Sequence, residues 1–247
     1  MVRYQRGRLT AATGLLAIAL SCVGTEVGNP QDAEVSLEFQ GVVASSSTAL
    51  TLASGIELRE AWFVFEEIEI KGGADCDEEA ETEFAGVNVV DFISGAQYPG
   101  YDLSLIEPGS YCQVNLHIES FEIDDLPRQA PSELADLTIL IRGQRSDGKH
   151  FELSTGSGEA LVLEGAFELM AGREKLFVAF AVNQWLLEEE LNEAEGDEMI
   201  YINSDDNPEI FAEFIGRLES TALLLRDENQ DGVLQPSEVD APLARGR

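Results

Sequence analysis

The stretch YCQVNLHIESFEI, from Tyr111 to Ile123, alternates apolar and polar residues with a period of two. Cys112, Val114, Leu116 and Ile118 fall on one side; Gln113, Asn115, His117 and Glu119 fall on the other. Side chains of an extended chain point alternately to opposite faces, so this pattern specifies a strand with one buried face. The same period recurs along much of the chain. EVSLEF sets Val35, Leu37 and Phe39 on one face. In EAWFVFEEIEI, strict alternation groups Trp62, Val64, Ile68 and Ile70 against Phe63 and Phe65. GVNVVDFI is a short apolar run. Asp147-Gly148 lies between two strand-like runs, which is a hairpin signal. Two further strands flank Ala171-Gly172. About seven or eight short strands with frequent turns predict a mainly β chain, an antiparallel β-sandwich over residues 34–187.

Beyond Val182 the period lengthens. NQWLLEEELNEAEGDE predicts a helix with Trp185, Leu186 and Leu191 turned inward, and MIYIN a short strand. Asn207 stands where a helix cap is expected, Pro208 suits the first helical position, and Glu209 suits the positive end of the helix dipole. Ile210, Phe211, Phe214, Ile215, Leu218 and Ala222 then form one apolar stripe. Residues 188–247 are therefore expected to form a small helical C-terminal region.

That helical pattern runs into DENQDGVLQPSE, residues 227–238. Calcium requires several hard oxygens, and an EF-hand loop supplies them from alternate positions. Asp227, Asn229 and Asp231 occupy the first, third and fifth positions. Gly232 falls where the backbone turns sharply, and Val233 offers its carbonyl. Leu234 is the apolar eighth residue. Gln235 binds directly or through water, and Glu238 closes the set as the bidentate ligand. Acidic turns arise by chance in an acidic chain, but the joint occurrence of Gly232, Leu234 and Glu238 after an amphipathic segment favours an EF-hand-like calcium loop. The expectation includes an entering helix ending at Arg226. Only a short exit helix fits before Pro242, and no second loop is seen. These features favour a structural calcium ion over a sensor.

The opening residues constrain location. Arg3, Arg6 and Arg8 precede an apolar run from Leu9 to Leu20, and Ser21 precedes Cys22. The run is short for a membrane span and suits a secretory signal. Ala19-Leu20-Ser21-Cys22 resembles a bacterial lipoprotein cleavage box, which implies a signal peptide over 1–21 and lipid on Cys22. A plain secretory signal with a free Cys22 thiol is the alternative. Multiple acyl chains anchor a protein stably. Residues 22–33 read as a tether. Val23 lacks the Asp that resembles an inner-membrane retention signal, which favours the outer membrane. The other two cysteines, Cys76 and Cys112, form an even pair in an oxidising compartment and are expected to bond as a disulfide.

Charge narrows the partners. Lys and Arg total 15 against 47 Asp and Glu, a net charge of −32. Such a chain repels nucleic acid phosphates and anionic headgroups and attracts cations. The acidic runs 75–83 and 188–198 read as solvated surface.

The pieces FVFEEIEI (63–70), VVDFI (89–93), IEPGSYCQVNLHI (106–118) and GAFELMAGREKLFVAFAV (165–182) resemble a family of uncharacterised bacterial lipoproteins with a prealbumin-like or immunoglobulin-like β-sandwich. The resemblance spans about residues 34–187 and rests on structural motifs, the Pro108-Gly109-Ser110-Tyr111 turn most of all. It implies the sandwich and a lipid-anchored envelope location, and assigns no catalytic role.

No phosphate loop, nucleophile elbow or zinc pattern stands in the sequence. His117 and His150 read as surface residues. Two classes of function remain open. The first is a lipid-anchored, non-catalytic envelope protein that binds calcium and a polysaccharide or protein partner. The second is an envelope hydrolase with paired carboxylates.

Overall fold

A computed structural model describes residues 32–42, 50–52, 55–73, 76, 81–100 and 103–247. The signal segment 1–21, the lipidation residue Cys22 and most of the 22–33 tether lie outside the described residues. The first half of the chain forms β1 (Ala33–Gly41), β2 (Leu50–Thr51), the long β3 (Glu57–Gly72), β4 (Glu81–Asp91), β5 (Ala96–Tyr98), β6 (Ser104–Ile106) and β7 (Gly109–Ile118). β8 (Ile139–Gln144), β9 (His150–Thr155), β10 (Glu159–Leu169) and β11 (Gly172–Phe180) follow. The remainder forms α1 (Glu188–Glu193), β12 (Met199–Ile202), α2 (Pro208–Ser220), β13 (Ala222–Arg226), α3 (Pro236–Val239) and β14 (Ala244–Gly246).

The chain is mainly β, as its period predicts, and all strands belong to one curled sheet. Its main path runs β12-β9-β8-β3-β7-β10-β14-β13-β11-β1-β6. The sheet is mixed rather than wholly antiparallel. β1 runs parallel to β11, with Leu37 opposite Leu176, and β12 runs parallel to β9. The C-terminal region supplies β12 to this same sheet, where MIYIN predicts a strand, and also β13 and β14, where a helical region is expected. The Asp147-Gly148 turn does join β8 to β9, with Gln144 opposite His150.

β3 organises the curl. One edge pairs with β8 over Glu57–Phe63 and then with β7 over Phe65–Gly72. β4 occupies the other edge from Trp62 to Lys71. A bulge between Phe65 and Glu67 interrupts both the β4 and β7 ladders. One extra residue shifts every later side chain to the opposite face. Ile68 and Ile70 therefore join Phe63 and Phe65 in the main core, while Val64 and Trp62 face a second cluster with Val89, Leu134 and Leu140. This corrects the grouping that strict alternation predicts.

The main core is aromatic at its centre. Phe39 of β1 stacks on Phe65 with centroids 4.3 Å apart, and Phe63 lies 6.0 Å from Phe180 of β11. β3 is not laddered to β1 or β11, so these contacts cross the core between facing parts of the sheet. Trp185 lies fully buried beside Phe63, Phe92, Phe180 and Phe214, and its Nε1 donates to Thr221 Oγ1 at 3.1 Å. Leu186 and Leu191 are buried as expected, but the helical expectation there reduces to a 3₁₀ turn at Val182–Gln184 and the short α1. α2 forms where Pro208 predicts it and buries Ile210, Phe214 and Leu218. Asn207 precedes it in a left-handed conformation with no capping bond. Its side chain instead accepts from Glu195 N at 2.8 Å and donates to Glu195 O and Tyr201 O, tying two loops together. Cys76 and Cys112 are bonded as a disulfide, with their Cα atoms 5.7 Å apart.

Candidate metal centre

The 227–238 loop leaves the sheet from a strand. The expected entering helix ends at Ser220, and ALLLR forms β13 between β11 and β14. Leu224 enters the main core, while Leu223 and Leu225 pack on the opposite face with Phe177 and Ala179. An apolar run buried on both faces carries no alternation, so its sequence reads equally as buried helix or buried strand. Leu234, within the loop, and Val239, just after it, pack onto that same outer cluster. Asp227 N also donates to Lys175 O of β11 at 3.0 Å. The loop is thus seated on the outer face of the β11–β13 pair.

Its internal bonds follow the expected ligand residues. The Asp227 carboxylate accepts from Asp231 N at 3.2 Å and Gly232 N at 2.8 Å. Gly232 has a φ of +75°, a conformation that suits a residue without a Cβ. Asn229 Oδ1 accepts from Asp231 N, and Asp231 Oδ1 accepts from Val233 N, each at 2.8 Å. Gln235 Nε2 donates to Asp231 Oδ2 at 3.2 Å. Glu238 Oε1 accepts from Glu228 N at 3.0 Å and Oε2 from Gln235 N at 2.8 Å. Glu238 thereby spans the loop from its second residue to the start of the short exit helix α3.

Asp227 and Glu238 are buried, at 3% and 6% exposure, whereas acids of this kind are rarely buried unless paired. Among the described residues no Lys, Arg or His forms an ion pair with Asp227, Asp231 or Glu238. Lys175 is near, but its ammonium pairs with Glu38 at 2.5 Å and stands 5.5 Å over the Phe177 ring. A cleft of about 320 Å³ adjoins the loop and is lined by Asp227, Gln230, Asp231, Gly232, Lys175 and Glu34. The three carboxylates do not converge within 4.8 Å of one another. Uncompensated negative charges at shorter range repel strongly in a partly buried site. Val233 is exposed, with its N–H held by Asp231.

Glu67, Glu69 and His117 do meet that distance, each offering one ligand atom within 4.8 Å of the others. By sequence alone His117 falls on the polar face of a strand, as a surface residue would. Only the β3–β7 register, which sets Glu67 opposite His117 across the bulged ladder, brings this group together.

The chain is thus mainly β, with an acidic loop seated on its sheet. No protein-family model, curated protein or solved structure matches the chain. Among the described residues no helix is long and apolar enough to cross a membrane.

Proposed function

We propose that this chain is a lipid-anchored, non-catalytic envelope protein, held through Cys22, that binds one calcium ion with its 227–238 loop. Asp227, Asn229, Asp231, Gln235 and Glu238 contribute side-chain oxygens and Val233 its carbonyl. The curled sheet is read as a prealbumin-like or immunoglobulin-like sandwich, supported by the ring contacts that cross the core between β3 and the β1–β11 pair. Its partner is a polysaccharide or another envelope protein.

The observation that carries the calcium reading is the burial of Asp227 and Glu238 without an ion-paired cation among the described residues. Removing carboxylates from water is costly unless a counter-charge compensates them, and a hard divalent ion does so with oxygen ligands. A bound calcium ion would offset the repulsion among the three carboxylates. The short exit helix and the anchoring of Leu234 on the sheet favour a stiffened C-terminus over the opening of a sensor.

Thermal unfolding tests the proposal. A single extracellular-type loop binds calcium with a dissociation constant of about 0.1–1 mM. About 10 mM calcium then stabilises the fold by roughly 2 kcal/mol, a midpoint rise of about 4–8 °C for a chain of this size. The expected result is that rise in the wild type and little of it in Asp227→Asn. The net charge of −32 makes any divalent ion a screening agent, so magnesium at equal concentration is the control. Equal rises with magnesium, or in Asp227→Asn, would reduce the effect to screening.

A further inference from the structure

We propose that Glu67, Glu69 and His117 form a second metal site, selective for a borderline transition-metal ion such as zinc and distinct from the calcium loop. The three residues lie on β3 and β7, and one ligand atom from each falls within 4.8 Å of the other two. His117 Nε2 stands 3.5 Å from Glu69 Oε2. Two ligands of a tetrahedral zinc ion, each about 2.0–2.1 Å from it, are about 3.3 Å apart, so this pair needs little movement to share an ion.

The imidazole provides the second, independent observation. His117 Nε2 is shut off from solvent, yet it has no hydrogen-bond partner. A neutral imidazole with its proton on Nδ1 directs the Nε2 lone pair at a carboxylate oxygen. Two facing acceptors repel unless a proton or a metal ion lies between them. The 3.5 Å contact between Nε2 and Glu69 Oε2 is within ion-pair reach but is not an aligned hydrogen bond, a separation that an ion ligated by both atoms would suit.

The acid opposite is held from behind. Asn115 Nδ2 donates to Glu69 Oε2 at 2.7 Å, and Gln113 Nε2 donates to Asn115 Oδ1 at 2.6 Å. Outer partners of this kind orient metal ligands. Lys71 Nζ, 3.8 Å from the same oxygen, supplies only partial neutralisation. The Glu67 carboxyl is pushed above its ordinary range, first by loss of solvent and then by repulsion from Glu83 and Glu69. Glu69 is pulled below its range, chiefly by the Asn115 amide. The face therefore gathers two carboxylates around an imidazole nitrogen that makes no hydrogen bond.

Nitrogen decides between the metals. Calcium and magnesium take oxygen ligands, while imidazole suits zinc, copper, iron and nickel. One imidazole and two carboxylates leave a fourth position on a tetrahedral zinc ion for water.

The test is zinc titration of the full chain with calcium already saturating, so that the loop does not compete. Long-range ¹H–¹⁵N spectra follow the imidazoles of His117 and His150. The expected result is one further zinc ion per chain, with the His117 Nε2 resonance shifted and His150 unmoved. His117→Gln and Glu69→Gln should each weaken zinc at least ~10-fold, with Asn115→Ala also weakening it. Unchanged thermal midpoints in the metal-free variants would separate lost ligation from lost folding. Zinc uptake without a His117 shift, or equal affinity in His117→Gln, would overturn the site. So would a His117 that ignores zinc and only titrates as an imidazolium paired with Glu69. If calcium fails to bind, the His117 shift and the His117→Gln and Glu69→Gln losses still read this site alone, because the two sites share no residue.

Discussion

Trp185→Ala is expected to destabilise the protein by about 3–5 kcal/mol, the cost of removing a large aromatic from a packed interior. Trp185 is fully buried and meets four rings: Phe63 at 5.3 Å, Phe92 at 5.9 Å, Phe180 at 5.9 Å and Phe214 at 6.3 Å. Those rings come from β3, the turn after β4, β11 and α2, so one cavity loosens the curled sheet and the helix together. Trp185→Phe keeps most of the ring volume and loses the bond from Nε1 to Thr221 Oγ1. Its cost should be smaller, about 1–2 kcal/mol. Denaturant unfolding checks both. A loss below about 1 kcal/mol for Trp185→Ala would mean that the aromatic centre is not the core of this fold.

Loss of the Cys76–Cys112 disulfide is expected to have the next largest effect. It closes a 36-residue separation containing β4, β5 and β6. The chain-entropy model assigns such a closure about 3–4 kcal/mol, because the uncrosslinked unfolded chain regains freedom. The double variant Cys76→Ser, Cys112→Ser should unfold about 6–16 °C lower than the oxidised protein. Reduction of the wild type should reproduce that fall. If reduction leaves the midpoint in place, the β3–β7 ladder holds this region without the bond.

Much of the fold is legible in the sequence because half-buried strands alternate. β1, β7 and the β8–β9 hairpin follow directly from Val35-Leu37-Phe39, from Val114-Leu116-Ile118 and from Asp147-Gly148. Three features escape that reading for different physical reasons. The bulge at Phe65/Glu67 inserts one residue in a run with no turn signal, and it changes which face Ile68 and Ile70 occupy. The parallel pairing of β1 with β11 joins residues more than a hundred positions apart, and local pattern carries no partner information. β13 has leucines buried on both faces, so period does not distinguish it from the end of a helix.

The candidate sites divide in the same way. The acidic residues of the loop are contiguous, so the sequence alone picks them out, but the bonds that Asp227 and Glu238 accept from the loop backbone are seen only in the fold. So is the loop's seat on a strand, since that depends on β13. The Glu67, Glu69 and His117 group is invisible in one dimension. Two glutamates two apart on a strand are ordinary surface until the ladder sets His117 against them.

Calorimetric titration of the full chain, with Glu238→Gln beside it, asks whether residues 227–238 hold one calcium ion. The expected result is a single saturable event near one ion per chain, with a dissociation constant of about 0.1–1 mM. Gln in place of the closing carboxylate should lower affinity at least ~10-fold, a difference of about 1.4 kcal/mol or more. Absence of saturable heat up to about 10 mM calcium, well above the range for such loops, would contradict calcium binding by this loop. Matching isotherms for wild type and Glu238→Gln would contradict it equally, and would leave the buried Asp227 and Glu238 as bonds that shape an acidic turn.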